Sequence, residues 1–341
     1  MQQVNWGIIG LGNIAKKFAE SFKNIKNANL IGVASKNKDK IEKFQKKYEI
    51  EKKYCFESYE KLIKCEKIDI IYIALPNSLH YEWIIKCIEN NKKILVEKPA
   101  TLNFAQIEKI RNNYNIDNIF FAEGFIYRYH PQISKVIEIL NSNTIGKLLS
   151  IETVFGFDIV HKKNLFGFKK EKKLNEENRL FNKSLGGGVI LDLGCYPVSL
   201  STLIASLNSK INYKKFEIIS KKKEMGSTDV EIDAEAEIVF DAAFKCKVAA
   251  SFLKNLGKQT KIIGTDGELT LRDTWHAQPA QIDISGRKNQ SIKLETNENI
   301  FFYEIKKISE NILENKYKPD FPGVSIQDTF INMKILDNWK N

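Results

Sequence analysis

The first 125 residues or so alternate between two hydrophobic patterns. Short runs that are apolar throughout predict strands buried on both faces, at 5–10, 29–35, 69–75, 92–98 and 118–124. Between them, apolar residues three or four positions apart predict helices, at 14–23, 38–48, 57–64, 78–90 and 103–114. Alternating helices and doubly buried strands indicate an α/β fold, with a parallel sheet covered by helices on each side.

The pattern changes after about residue 145, where longer stretches, several with apolar and polar residues in alternation, predict strands within 148–157, 229–240, 244–253, 260–273, 280–286 and 290–296. Thr265-Asp266-Gly267 marks a hairpin turn between two of them. Helical spacing returns at 192–207, 301–315 and 325–339. We therefore expect two domains, at 1–122 and 123–341. The second is an α+β domain with a large, mostly antiparallel open sheet.

Composition agrees with this picture, because 341 residues suit about two domains. The five cysteines are odd in number and lack CxxC spacing, so we expect neither a disulfide framework nor a metal site, and a reducing cytoplasm fits best. The sequence has no recognisable signal peptide. Its apolar runs look too short to span a bilayer, so no membrane association is expected.

A net charge of +11 raises the question of nucleic acid. However, only five of the 53 basic residues are arginine, at positions 111, 128, 179, 272 and 287. Arginine is the residue that contacts phosphate and guanine in a bidentate manner. We interpret the scattered lysines as solvated faces and expect no nucleic-acid partner.

The stretch GLGNIA at 10–15 follows a predicted strand and opens a predicted helix. Gly10 permits the tight turn, and Gly12 lets the backbone approach a pyrophosphate at the helix N-terminus, beside Asn13, Ile14 and Ala15. In this position the motif predicts a dinucleotide-binding Rossmann domain, a doubly wound parallel sheet. The alternative is a glycine-rich turn without a ligand.

The end of the second strand bears on which dinucleotide binds. NAD sites usually carry an acidic residue about 20 residues after the motif, which holds the ribose hydroxyls. Here Ser35 stands at that place, followed by Lys36 and Lys40. A hydroxyl and two cations attract a 2′-phosphate, so we predict NADP, with NAD possible if these lysines only form a charged helix start.

Three predicted strands end in polar residues. ILVEKPA places Lys98 at the end of one strand, Pro76-Asn77 follow another, and Glu123 ends a third. Ligands of such sheets bind at the carboxyl ends of the strands. We therefore expect these ends to converge near the nicotinamide half of the cofactor.

Four ordered motifs now resemble one family: GIIGLGNIA, LPNSLHYEWIIKCIENNKKILVEKP, EGFIYRYHPQ and LGGGVILDLGCYP. The chain resembles the Gfo/Idh/MocA oxidoreductases, and within them the NADP-linked aldose and trans-dihydrodiol dehydrogenases. The resemblance implies a small polyhydroxylated substrate held between the two domains. It also implies homodimers or higher homo-oligomers that pair through the open sheet of the second domain.

The same resemblance implies roles for individual residues. Lys98 is expected beside substrate and nicotinamide, where a cation stabilises the developing alkoxide. Glu97 and His80 are expected near the cofactor, although a packed histidine is the alternative for His80. Asp192 and Tyr196, four residues apart, share one helix face. Tyr196 then serves as proton donor or acceptor with Asp192 orienting it, the alternative being a packed aromatic.

Arg128 and Arg179 match places that are common in this branch and could contact substrate hydroxyls. Structural ion pairs are the alternative for both, and His130 is expected to be a packed residue. The sequence thus predicts an NADP(H)-dependent oxidoreductase acting on a sugar, polyol or dihydrodiol. The rival is a non-catalytic NADP-binding sensor or partner subunit, which could dispense with Lys98 or Tyr196.

Overall fold

The computed structural model describes residues 2–163, 169–287 and 289–341. The chain forms two compact units: Met1–His130 with Asn297–Phe330, and Pro131–Thr296 with Ile331–Asn341. This division differs from the expected domains at 1–122 and 123–341. The first unit extends to residue 130 and also takes in a segment close to the end of the chain.

The first unit is built on a six-stranded sheet in the order β3-β2-β1-β4-β5-β6, with every pair parallel. Its strands are Val4–Ile9, Ala28–Ala34, Cys55–Phe56, Ile70–Ile73, Lys93–Glu97 and Phe121–Gly124 (β1 to β6). The connecting helices are Asn13–Glu20, Lys38–Tyr48, Tyr59–Ile63, Asn77–Glu89 and Phe104–Asn113 (α1 to α5). The predicted doubly wound parallel sheet is confirmed.

A helix from the far end of the chain completes the core of this unit. Helix α8, Ile300–Leu313, places Phe301, Ile305 and Ile308 in the same buried cluster as Trp6 and Phe18. The Trp6 indole Nε1 donates a hydrogen bond to Ser309 Oγ at 3.0 Å. Burying this apolar face stabilises the first unit, which is why 297–330 does not belong with the second.

The second unit carries an eight-stranded sheet in the order β10-β11-β12-β7-β13-β14-β15-β16. Its strands are Leu148–Gly156 (β7), Phe216–Met225 (β10), Glu231–Phe240 (β11), Phe244–Ser251 (β12), Thr260–Gly264 (β13), Gly267–Leu271 (β14), Gln281–Gly286 (β15) and Gln290–Lys293 (β16). All pairs are antiparallel except β12 with β7. A two-stranded hairpin is formed by His161–Lys163 (β8) and Lys169–Glu171 (β9). The mostly antiparallel sheet and the turn between β13 and β14 are confirmed.

Helices α6, Pro131–Asn141, and α7, Cys195–Ser206, lie in the second unit, while α9, Ile326–Lys340, runs through the division at 330/331. One helical stretch, Lys183–Ser206, is long and apolar enough to cross a membrane by length and composition. Of its most apolar window, 94% is buried inside the protein, as in a core helix. The prediction that the apolar runs are too short to span a bilayer did not take this stretch into account.

Candidate active site

The glycine turn between β1 and α1 has the shape that a pyrophosphate requires. Gly10 has φ of +90°, and a Cβ there would lie 2.5 Å from the Ala74 carbonyl oxygen, so no other residue fits without strain. A Cβ on Gly12 would meet nothing within 4 Å. Gly12 also caps α1 without a side-chain hydrogen bond. Open space in front of unsatisfied helix N–H groups suits an anion, so the turn fits the predicted cofactor.

The end of β2 presents the residues predicted to select the cofactor. Ser35 is buried, and its hydroxyl accepts a hydrogen bond from the Asn37 N–H at 3.1 Å. Lys36 and Lys40 are exposed and have no ion pair among the described residues. The neighbouring Lys38, by contrast, pairs with Glu57 at 3.2 Å. Two unpaired cations at the end of this strand remain available to an anionic ligand.

The carboxyl ends of β4 and β5 lie side by side, as predicted, because the two strands pair in parallel. Pro76 precedes α4, and Asn77 begins it in a buried position. The Tyr72 hydroxyl donates a short hydrogen bond to Glu97 Oε1, which holds this carboxylate from the β4 side. The structure thus brings the EKP and PN motifs together at one edge of the sheet.

Lys98 lies on a turn that is held on two sides. The Lys98-Pro99 peptide bond is cis. On one side His80, fully buried, places Nδ1 2.9 Å from the Pro99 carbonyl oxygen and Nε2 2.8 Å from that of Leu75. A neutral imidazole can donate to only one of them. His80 therefore contacts the lysine turn directly, and its contact with the cofactor stays a prediction.

On the other side, the Ala100 N–H donates a hydrogen bond to Glu123 Oε1 at 2.9 Å. The second oxygen of this buried carboxyl accepts from the Thr329 hydroxyl at 2.6 Å. Burial raises the pKa of Glu123 to about 7, although both hydrogen bonds and nearby Arg128 act in the opposite direction. Glu123 was predicted only as a polar strand end, and its anchoring of the lysine turn could not be read from the sequence.

Arg128 is buried, and two of its nitrogens have partners within the first unit. Nε donates to the Tyr127 hydroxyl at 3.2 Å and Nη1 to the Pro322 carbonyl oxygen at 3.1 Å. These contacts support the structural alternative, while substrate binding by Arg128 stays a prediction. His130 packs edge-on against Tyr303 with ring centroids 5.2 Å apart, and burial lowers its pKa to about 4.

In the second unit, Asp192 and Tyr196 lie on a helix with an irregular first turn. Residues Ile190–Gly194 form a π-helical turn that runs directly into α7, where Tyr196 is the second residue. Such turns are rare and concentrate at functional sites. Asp192 Oδ1 accepts a hydrogen bond from Arg179 Nη1 at 3.1 Å. Arg179 is thus an ion-pair partner of the predicted orienting carboxylate, and half of its side chain remains exposed.

Tyr196 belongs to an aromatic wall. Its ring lies 5.1 Å from that of Phe155 and 5.5 Å from that of Trp275, both nearly edge-on. Phe157, which is partly exposed, adds a third ring next to Phe155 at 5.3 Å. This wall was not predicted, because its members come from three distant segments: the end of β7 with the residue after it, the start of α7, and the segment after β14.

The chain matches two models of one family. Residues 4–115 match the GFO/IDH/MocA oxidoreductase family with an NAD-binding Rossmann fold, and residues 133–270 match the GFO/IDH/MocA C-terminal domain. The trans-1,2-dihydrobenzene-1,2-diol dehydrogenase of Xenopus tropicalis is 25% identical, over 97% of this chain and 96% of the relative.

Two solved structures share the fold of the whole chain. The aldose-aldose oxidoreductase of Caulobacter crescentus, complexed with glycerol, has a TM-score of 0.83 at 18% identity, covering 99% of this chain and 96% of that one. The 3-ketoreductase of Actinomadura kijaniata, in complex with NADP and TDP-benzene, has a TM-score of 0.80 at 20% identity, covering 98% and 96%. With the glycine turn, the EKP turn and the DLGCYP helix in place, the chain belongs to the Gfo/Idh/MocA family of oxidoreductases.

Proposed function

We propose that this chain is an NADP(H)-dependent oxidoreductase that moves hydride between nicotinamide and a carbinol or carbonyl carbon of a sugar, polyol or dihydrodiol. The observation that carries the proposal is the Lys98 turn, held at the carboxyl edge of a sheet whose first turn fits a pyrophosphate. The names of the relatives support it, since they include a dihydrodiol dehydrogenase, an aldose oxidoreductase and a 3-ketoreductase solved with NADP.

The first unit supplies the cofactor contacts. The Gly10–Gly12 turn and the first N–H groups of α1 would hold the pyrophosphate. Ser35, Lys36 and Lys40 would hold the 2′-phosphate of the adenosine ribose. When bound, the cofactor would supply the hydride acceptor or donor, which is C4 of its nicotinamide ring.

Lys98 and Tyr196 supply the proton chemistry. In oxidation, loss of the hydroxyl proton gives the carbinol oxygen alkoxide character, and the carbon loses its hydride as the carbonyl forms. The Lys98 ammonium stabilises that negative charge. Tyr196 takes the proton in its phenolate form, or gives it as a phenol in the reverse direction, while Asp192 and Arg179 fix the polar surroundings of this side chain.

A turnover screen followed by nicotinamide absorbance tests this function. It crosses NADP(H) and NAD(H) with aldoses, ketoses, inositols, trans-dihydrodiols, sugar nucleotides and simple carbonyls. Turnover of at least one of these groups with NADP(H) is the expected result. Silence across the panel, with tight NADPH binding retained, would contradict it and favour the non-catalytic sensor or partner subunit.

Ser35→Asp is expected to move the cofactor preference from NADP toward NAD. Two like charges about 4 Å apart near a protein surface repel by about 4 kcal/mol, so a carboxylate at this place opposes a 2′-phosphate. We expect the ratio of kcat/KM for NADP over NAD to fall about 100-fold or more. Lys38→Met is the control, because Lys38 already pairs with Glu57. An unchanged ratio in Ser35→Asp would place the 2′-phosphate elsewhere.

Assembly and location complete the proposal. We propose a homo-oligomer that pairs through the outer face of the second unit's sheet, where alternate residues of β7, β11 and β12 point away from the core. This face carries exposed pairs such as Glu152 with Lys247 and Glu235 with Lys222. All five cysteines are free thiols, which supports the reducing cytoplasm as the location.

A further inference from the structure

A second group of polar residues lies on the aromatic wall of the second unit. Asp273 is buried, and its Oδ1 accepts from the His276 backbone N–H at 3.0 Å and lies 3.5 Å from His276 Nδ1. Its Oδ2 accepts from Lys258 Nζ at 3.1 Å. Burial alone would raise the pKa of Asp273, but the hydrogen bonds from His276 and Lys258 hold it at about 2. The carboxylate is therefore ionised and fixes both partners.

This group stands next to the predicted proton donor. The His276 ring centroid lies 6.0 Å from that of Phe155, and Phe155 also contacts the Tyr196 ring at 5.1 Å. Trp275, between Thr274 and His276 in sequence, itself contacts Tyr196 at 5.5 Å. His276 thus belongs to the same wall as Tyr196, with one aromatic ring between them.

One atom of this group is left for a ligand. Among the described residues His276 Nε2 has no hydrogen-bond partner, and 44% of the side chain is exposed. Because Asp273 faces Nδ1, the ring proton is favoured there, and Nε2 becomes an acceptor. The Asp273 charge also cancels that of Lys258. The group therefore suits a neutral hydroxyl donor better than a phosphate.

We propose that His276 Nε2 accepts a hydrogen bond from a substrate hydroxyl several bonds away from the reacting carbon. This inference rests on the proposed function and narrows its substrate to neutral sugars and polyols. A trans-dihydrodiol has both hydroxyls on adjacent carbons at the reacting centre, so it offers no remote hydroxyl to His276. A sugar nucleotide offers phosphates, which need an uncompensated cation.

The test compares one aldose with its own deoxy analogues. The aldose turned over best by the wild type is assayed beside each of its monodeoxy forms, in the wild type and in His276→Leu. In the wild type, one deoxy form loses kcat/KM about tenfold, the effect of one hydrogen bond. In His276→Leu, kcat/KM for the parent aldose falls by about the same factor, so that the parent aldose and that deoxy form have equal kcat/KM values.

Two further variants separate binding from a structural role. His161→Leu removes another histidine that faces an aspartate three residues earlier, at 2.9 Å. It is expected to keep the wild-type ratio of parent to deoxy sugar. His276→Gln retains a hydrogen-bonding group and is expected to restore part of that ratio. An unchanged ratio in His276→Leu, or an equal loss for every substrate, would overturn the proposal.

The same assay distinguishes failure of this inference from failure of the function. A wild type that turns over dihydrodiols or sugar nucleotides but no free sugar overturns the role of His276 and leaves the oxidoreductase intact. A wild type that turns over nothing overturns both. Turnover of free sugars with the deoxy pattern above supports both.

Discussion

Lys98→Met is expected to reduce kcat about 100- to 1,000-fold, the usual loss when one electrostatic contact to a developing oxyanion is removed. Methionine keeps an unbranched stem of similar length and removes only the charge and its donors. The pyrophosphate turn lies at a different strand, so the affinity for NADPH should change little. Single-turnover hydride transfer, followed by nicotinamide absorbance, and fluorescence titration with NADPH measure the two quantities separately.

Lys93→Met is the matched control. Lys93 begins the strand that Lys98 follows, so it stands at the amino end of β5, away from the edge where ligands bind. It should keep kcat near the wild-type value. If Lys98→Met also turned over at a near-normal rate, Lys98 would have no role in the chemical step. Tyr196→Phe is measured in the same assay to assign the proton transfer. The residual rates of Lys98→Met and Tyr196→Phe are compared across pH, and the variant whose rate depends more on pH is the one that still contains the proton-transferring residue.

The features predicted well from sequence are those set by local patterns. The β1 and α1 pair, the GxGxxA turn and the ends of β4 and β5 each depend on residues close together in the chain. Parallel pairing then brings the strand ends to one edge without further information. For this reason Gly10, Gly12, Lys98 and Asn77 are where the sequence placed them.

The features missed depend on contacts between distant segments. Helix α8 belongs to the first unit because Phe301 and Ile305 pack into the core of that unit. The spacing of apolar residues predicts that such a helix has one buried face, but not which core that face packs against. Strand β10 was not predicted because it is an exposed edge strand with three consecutive lysines at 221–223. Lysines on an edge strand protect it from pairing with another chain, and here they interrupt the alternation of apolar and polar residues by which a strand is recognised. The contacts of Arg128 could not be read from the sequence either, because its partner Pro322 lies almost 200 residues away, and substrate binding by Arg128 stays a prediction.

Glu123→Gln is expected to remove a large part of the pH dependence of stability. The pKa of Glu123 is about 7 in the folded protein against a model-peptide value of 4.5. The folded state therefore holds this proton more tightly. Its contribution to stability is fully present below pH 4.5 and is lost as the pH rises through about 7. The loss amounts to about 3 kcal/mol of the unfolding free energy. Urea unfolding between pH 4 and pH 8, on wild type and variant, measures it.

The comparison is specific because glutamine preserves the contacts. Its amide oxygen can accept from the Ala100 N–H, and its NH₂ can donate to Thr329 Oγ, so the Lys98 turn and turnover should survive. Thr329→Val is the control: it removes one hydrogen bond, at a cost of about 1 kcal/mol, yet keeps the carboxyl and so keeps the pH dependence. The facing groups Arg128 and Asp328 are the same in both variants. Parallel pH curves for wild type and Glu123→Gln would mean that the pKa of this carboxyl is the same in the folded and the unfolded state, so that it is ionised at neutral pH. The Lys98 turn would then be anchored by a buried charge rather than by a carboxyl that is protonated below neutral pH.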